Sequence, residues 1–144
     1  MADLSSHRGP NVVLKGHNWN IRGCAFSPDG TRIITGSEDR TARVWDSATG
    51  EEIYKLGSVN NVEPAKGHVH QVWAVGFLPQ DADTVYTGGF DGDVRLWKLG
   101  EETPACIRTI SLTGPATSIC ALPDDGGTQL LCSSGQLIFK LDLS

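Results

Sequence analysis

The sequence predicts an all-β fold, and three observations carry that expectation. Runs of about five to eight residues rich in Val, Ile, Thr and aromatics are bounded by Gly, Pro, Asp and Ser. Apolar residues nowhere sustain a helical period. A string of about thirty residues recurs: "LKGHNWNIRGCAFSPDGTRIITGSEDRTARVWD" (14–46) aligns with "AKGHVHQVWAVGFLPQDADTVYTGGFDGDVRLWK" (65–98).

Each unit divides into short strands. In the first, "IRGCAF", "RIITG" and "ARVWD" read as strands, and "SPDG" (27–30) is the turn between the first two. The second unit supplies "QVWAVGFL", "TVYTG" and "DVRLWK", and a worn third supplies "TSICAL", "TQLLC" and "QLIFKL". Between the units, "EEIYKL" (51–56) and "ACIRTI" (105–110) read as fourth strands, and "NVVLK" (11–15) reads as a further strand ahead of the first unit. Residues 1–10 are expected to be a flexible N-terminus, followed by one segment over 11–144. Its units span about 11–56, 65–110 and 111–144. The polar run "GSVNNVEPAK" (57–66) is most simply an extended surface loop, with a partner-binding insertion as the alternative.

Composition narrows the function classes. Hydrophobic residues are 39% and charged residues 20%, as in a globular domain with a core. The net charge of −5 and the absence of a basic run leave no nucleic-acid partner expected. No apolar run nears the roughly 20 residues of a membrane-spanning helix, and the start lacks the pattern of a secretory signal. An intracellular, cytoplasmic protein is therefore expected. Four cysteines without a C-x-x-C pair read as small buried hydrophobes.

The combination of Gly-His, a strand ending in Ser-Pro-Asp-Gly, a small-residue strand, and Asp six before Trp-Asp resembles the WD-repeat family of β-propellers. The resemblance is strong over about 14–110 and weak over 111–144. It implies blades that are four-stranded antiparallel sheets packed around a central channel. It also implies a hydrogen-bonded network in each blade: His17, Thr35, Asp39 and Trp45 in the first, and His68, Thr87, Asp91 and Trp97 in the second.

Asp, His and Thr together also suggest a catalytic triad. A triad needs an exposed nucleophile beside an oxyanion hole, whereas this hydroxyl should be capped by Trp and buried, and the set occurs twice. The expected role is structural, with no catalytic residues. In the third unit Pro115 stands at the His place, Phe139 is expected at the Trp place, and the segment after Ser133 is too short to supply the Asp. No nucleophile elbow, phosphate-binding loop or H-E-x-x-H is present. His68 and His70 alternate as metal ligands could, but the network claims His68, and no metal or cofactor is expected. "DADT" and "DGD" lack calcium-loop spacing. Ala48 after Trp-Asp, and "WKLG", do not support the family's ubiquitin-ligase docking variant.

Strands for about three blades cannot close a ring of the usual four to eight. Such an arc would expose two blade faces and unpaired edges. A piece of a longer propeller, a homo-oligomer or a hetero-assembly would each resolve this, and the Met start favours completion by partner chains. The leading expectation is a non-catalytic protein-interaction scaffold, and the alternative is a structural subunit that recruits nothing transiently. The family's partner-binding face would comprise Asn20, Arg22 and Glu38 in the first unit, and Gln71, Trp73 and Phe90 in the second, with Trp19 a further candidate. Trp73 and Phe90 are a plausible aromatic hot spot; packing of Trp73 between blades is the competing reading.

Overall fold

A computed structural model describes residues 11–100, 102–122 and 129–144. The expected flexible N-terminus, residues 1–10, lies outside the described residues. Three antiparallel sheets follow one another along the chain. The first is ordered β1 (Ile21–Phe26), β2 (Arg32–Ser37), β3 (Ala42–Asp46), β4 (Glu52–Leu56). The second is β5 (Val72–Leu78), β6 (Asp81–Gly89), β7 (Asp93–Lys98), β8 (Ala105–Ser111). The third has three strands, β9 (Ser118–Leu122), β10 (Gln129–Ser134) and β11 (Leu137–Asp142), with β10 in the centre. The first two sheets have the four-stranded antiparallel order that the resemblance implies for blades, and the third has three of those strands.

The turns form where local chemistry demands them. At β1–β2 the Gly30 amide donates to the Ser27 carbonyl at 2.9 Å, and Gly30 has φ +75°, a conformation that glycine adopts without a Cβ clash. Asp29 accepts from the Thr31 amide and from the Ser27 and Thr31 hydroxyls. Those bonds, the Thr31 amide first, hold its carboxyl down at about 2.

The central strands are buried continuously rather than on alternate residues, as strands covered on both faces are, and the second sheet packs on both of its faces. Between the first two sheets Ile34, Val44, Val72, Phe77, Val85 and Trp97 form one core. Between the second and third, Tyr86, Val94, Leu96, Ala116, Leu130 and Cys132 form another. Close approach depends on small residues in β2 and β6. A Cβ on Gly36 would lie 2.9 Å from Val75, and one on Gly88 would lie 2.6 Å from Ile119.

Two sequence expectations are corrected. "NVVLK" is not a strand: residues 11–15 run as irregular chain beside Gly50, where a Cβ would meet Val12 at 2.7 Å. Val12, Val13 and Leu14 instead line a hollow with Ile21, Cys24 and Phe26 of the first sheet. The Trp place in the third sheet belongs to Leu141, not Phe139. Trp45 pairs with Ile33 and Trp97 with Val85, each two residues before the network Thr. The residue at the Thr place is Cys132, and two before it Leu130 pairs with Leu141. Phe139 pairs with Cys132, as Arg43 pairs with Thr35 and Arg95 with Thr87. The reason is the tight β10–β11 turn: Ser134 pairs with Leu137, which shortens the hairpin and shifts every later position.

Candidate functional site

Two polar sites repeat between the first and second sheets. The first is the buried network. His17 Nδ1 lies 2.8 Å from Asp39 Oδ2, and its Nε2 lies 2.6 Å from Thr35 Oγ1. Trp45 Nε1 donates to the same hydroxyl at 2.8 Å. A carboxylate only accepts and an indole only donates, so the proton order follows. His17 Nδ1–H donates to Asp39, Trp45 donates to the Thr35 oxygen, and the Thr35 hydroxyl donates to Nε2. The second sheet repeats this: His68 Nδ1 lies 3.0 Å from both Asp91 oxygens, His68 Nε2 2.7 Å from Thr87, and Trp97 donates to Thr87 at 2.9 Å.

Electrostatics match that proton order. Burial, the largest influence, lowers the His17 pKa despite the Asp39 carboxylate, so the imidazole is neutral at pH 7. Burial works to raise Asp39, but bonds from Thr41, His17 and Asn18 outweigh it and hold the group low. Asp91 is likewise low: burial opposes ionisation, and His68 with the Asp93 and Val69 amides prevails. Thr35 is 3% exposed and Thr87 fully buried. A hydroxyl capped by indole and closed to solvent cannot reach a substrate.

Residues missed by the sequence reading extend the network. Thr41 Oγ1 donates to Asp39 Oδ1 at 2.6 Å. Arg43, buried, pairs with Glu52 at 2.8 Å and approaches Asp39 at 3.7 Å. Arg95 takes the same place in the second sheet, bonding Asp93 at 3.2 Å. Its Nε is an unpartnered buried side-chain atom. The recurrence of Arg two places before each Trp, in "RVW" and "RLW", was the available signal.

The second site is the rim above the network. The Asn20 carbonyl accepts from the Glu38 amide at 3.0 Å, and the Gln71 carbonyl accepts from the Phe90 amide at 2.8 Å, so these positions are equivalent. On the first sheet Arg22 forms an ion pair with Glu38. On the second, Trp73 is half-buried, its ring 5.4 Å from Phe90, and its Nε1 donates to Gln71 Oε1 at 2.8 Å. Phe90 is 49% exposed. His70, weighed in the sequence only as a metal ligand beside His68, meets Phe90 edge-on at 6.2 Å. Trp19, 68% exposed, belongs to a different part of the rim. With Glu38, Asp39, Arg40, Val59 and Gln71 it lines a cleft of about 280 Å³. Val59 belongs to the 57–66 loop, which is pinned there by Arg40 Nη1 donating to the Asn61 carbonyl at 3.1 Å.

Among the described residues no group of three His, Cys, Asp or Glu side chains is placed to hold a metal ion. No helix among them is long and apolar enough to cross a membrane. The four cysteines are free thiols; Cys132 is buried as expected, whereas Cys24 and Cys120 are exposed and Cys106 is half-buried, against the expectation of buried hydrophobes.

Comparison with known proteins decides the family. The model of the WD domain, G-beta repeat, matches residues 8–46 and 60–98, together more than half of the chain. The chain belongs to the WD-repeat family. Eukaryotic translation initiation factor 3 subunit I of Debaryomyces hansenii is 29% identical over 116 residues, 79% of this chain and 29% of that protein. The guanine nucleotide-binding protein subunit beta of Oryza sativa subsp. japonica is 30% identical over 124 residues, 85% of this chain and 32% of that protein. THO complex subunit 3 of Arabidopsis thaliana is 30% identical over 110 residues, 76% of this chain and 33% of that protein. This WD-repeat chain therefore spans about a third of the length of these curated relatives.

Proposed function

We propose that this WD-repeat chain is a non-catalytic interaction scaffold within a multi-protein assembly, and that it binds partners through the rim carrying Trp73 and Phe90. The carrying observation is the aromatic cluster itself. Trp73 is held by its own sheet through Gln71, so its ring is pre-oriented, while Phe90 extends from the turn with half its surface in water. A rigid, half-exposed aromatic pair with its polar atom already satisfied suits a binding anchor, because little side-chain entropy remains to be lost. Arg22 and Glu38 form an adjoining charged part of the rim. Three of the similar proteins are named as subunits, of an initiation factor, of a guanine nucleotide-binding protein and of the THO complex. Those names support a role in assemblies and are the basis for proposing an intracellular location.

The test compares wild type with the double variant Trp73→Ala/Phe90→Ala, using Thr49→Ala on an exposed distant turn as control. Proteins captured from a cell extract are quantified by mass spectrometry, and folding is followed by circular dichroism. Selective loss of partners from the double variant, with an unchanged melting curve, is the expected result. Equal capture by all three proteins refutes the rim as the binding face.

A further inference from the structure

The outer strands of the first two sheets meet the buried arginines differently. Both ladders slip at the same step, between Val44 and Trp45 in the first sheet and between Leu96 and Trp97 in the second. Beyond the slip Trp45 pairs with Glu52 of β4, and Trp97 pairs with Cys106 of β8. Cys106 therefore holds the place of Glu52. A bulge re-aims the side chain beside it, and here both side chains meet the arginine of the neighbouring strand.

The first arginine is fully served. Arg43 Nη1 donates to Glu52 Oε1 at 2.8 Å, its Nε donates to Thr41 Oγ1 at 3.5 Å, and its Nη2 lies 3.7 Å from Asp39. The second arginine is not. Arg95 is 2% exposed, and among the described residues only its Nη2 reaches oxygen, on the Pro64 carbonyl and on Asp93 at 3.2 Å. Its Nη1 reaches the Cys106 sulfur at 3.8 Å. Its Nε is, among the described residues, the one buried side-chain nitrogen or oxygen with no hydrogen-bond partner. Arg43 thus pairs with two carboxylates, Asp39 and Glu52, where Arg95 pairs with Asp93.

A buried donor without an acceptor is costly, more so on a charged group. A neutral thiol is a weak acceptor, so Cys106 cannot serve Arg95 as Glu52 serves Arg43. Oxidation of the same side chain would remedy this. A sulfinate is an anion with two oxygens on its sulfur, as a carboxylate has two on its carbon. An S–O bond is much shorter than the 3.8 Å gap, so an oxygen on that side of the sulfur comes within hydrogen-bond reach of Nη1. The thiol is also reachable, because Cys106 is half-buried on β8, the edge strand of its sheet.

We propose that Cys106 is a site of peroxide oxidation, and that its sulfinate takes the place held by the Glu52 carboxylate in the first sheet and supplies Arg95 with an acceptor. In the first step the sulfur attacks one oxygen of hydrogen peroxide. The S–O bond forms, the O–O bond breaks, and sulfur gives up two electrons. The thiol proton leaves with the other oxygen as water, and the product is the sulfenic acid. A second peroxide adds the second oxygen in the same way, and the sulfinic acid loses its proton to solvent. Charge builds on oxygen in both steps, beside donors that are already in place. Oxidation here braces the second sheet as Glu52 braces the first. The rim and its partners play no part in this inference.

Hydrogen peroxide is the probe, applied to the chain folded and in urea, and peptide mapping by mass spectrometry follows all four cysteines. Exposure alone can at most make a folded thiol as reactive as an unfolded one. Cys106 is expected to reach the sulfinate about tenfold faster folded than unfolded, the factor that one charge-assisted hydrogen bond to the transition state gives. Cys24, Cys120 and Cys132 are expected to be no faster folded than unfolded. Separately, Cys106→Glu copies the brace of the first sheet and is expected to raise the urea midpoint, whereas Cys106→Ser is not. Glutamate is disfavoured in strands and adds charge to a chain already at −5, so a rise reports the pair with Arg95. Should Cys106→Glu not fold, the midpoint of the peroxide-treated wild type takes its place and must exceed that of the untreated chain. A folded Cys106 rate at or below the unfolded rate overturns the proposal, and so does a midpoint that fails to rise.

Discussion

Replacing Thr35 by Val removes one hydroxyl and almost no volume, which isolates the polar contribution of the network from its packing. In wild type that oxygen accepts from Trp45 at 2.8 Å and donates to His17 at 2.6 Å. Valine strands both groups at once in a place where Thr35 is 3% exposed and Trp45 1% exposed. Each stranded buried group costs about 1–3 kcal/mol, so a loss of about 2–6 kcal/mol is expected. Urea unfolding followed by tryptophan fluorescence measures it, with the slope unchanged if the effect is on the folded state. Adding Trp45→Phe to Thr35→Val should cost less than Trp45→Phe alone, because the indole proton has already lost its partner. A Thr35→Val variant within about 0.5 kcal/mol of wild type would refute the view that these bonds brace the blade.

Three further outcomes follow from the same chemistry, beside the test of rim capture. His17 binds its proton less readily folded than unfolded, so stability should fall as pH drops below about 6.5, the ordinary histidine value, and stop falling through this group once pH passes its lowered folded value. Asp39 and Asp91, held low in the fold, add a second loss as pH falls below about 3.9 towards their folded values. Urea midpoints recorded from pH 8 to pH 3 check both, and a midpoint that rises on acidification contradicts the assignment. Gly76→Ala should destabilise by about 1–3 kcal/mol, since its Cβ would fall 2.3 Å from the Tyr86 ring carbon Cζ. Tyr86→Leu in the same chain should recover part of that loss in a thermal melt.

Much of the fold was legible because its signals are local. The "SPDG" turn supplies its own hydrogen bonds through Asp29, and the strands carry apolar residues that need a face to bury. The network residues were legible through the family resemblance, as each occupies a fixed place within a repeated string. Thr41, Arg43 and Arg95 were passed over, although the recurring Arg before each Trp pointed to the last two. The alternation of His68 and His70 suggested only a metal pair and Val59 carried no signal, because what places His70 and Val59 on the rim is a neighbouring turn and the 57–66 loop.

The sequence by itself determined the class and the repeated strand units, since these depend on residue type and spacing within about thirty residues, while the braced network was implied by the family resemblance. Tertiary structure decided the rest. It assigned Leu141 rather than Phe139 to the Trp place, because register depends on how many residues the β10–β11 turn consumes. It left residues 11–15 as irregular chain, because pairing with a strand edge is decided by tertiary placement and not by the segment's own residues. It also resolved the expected binding face into an aromatic cluster and an adjoining cleft at Trp19 that share Gln71, through side-chain contacts that spacing alone does not encode.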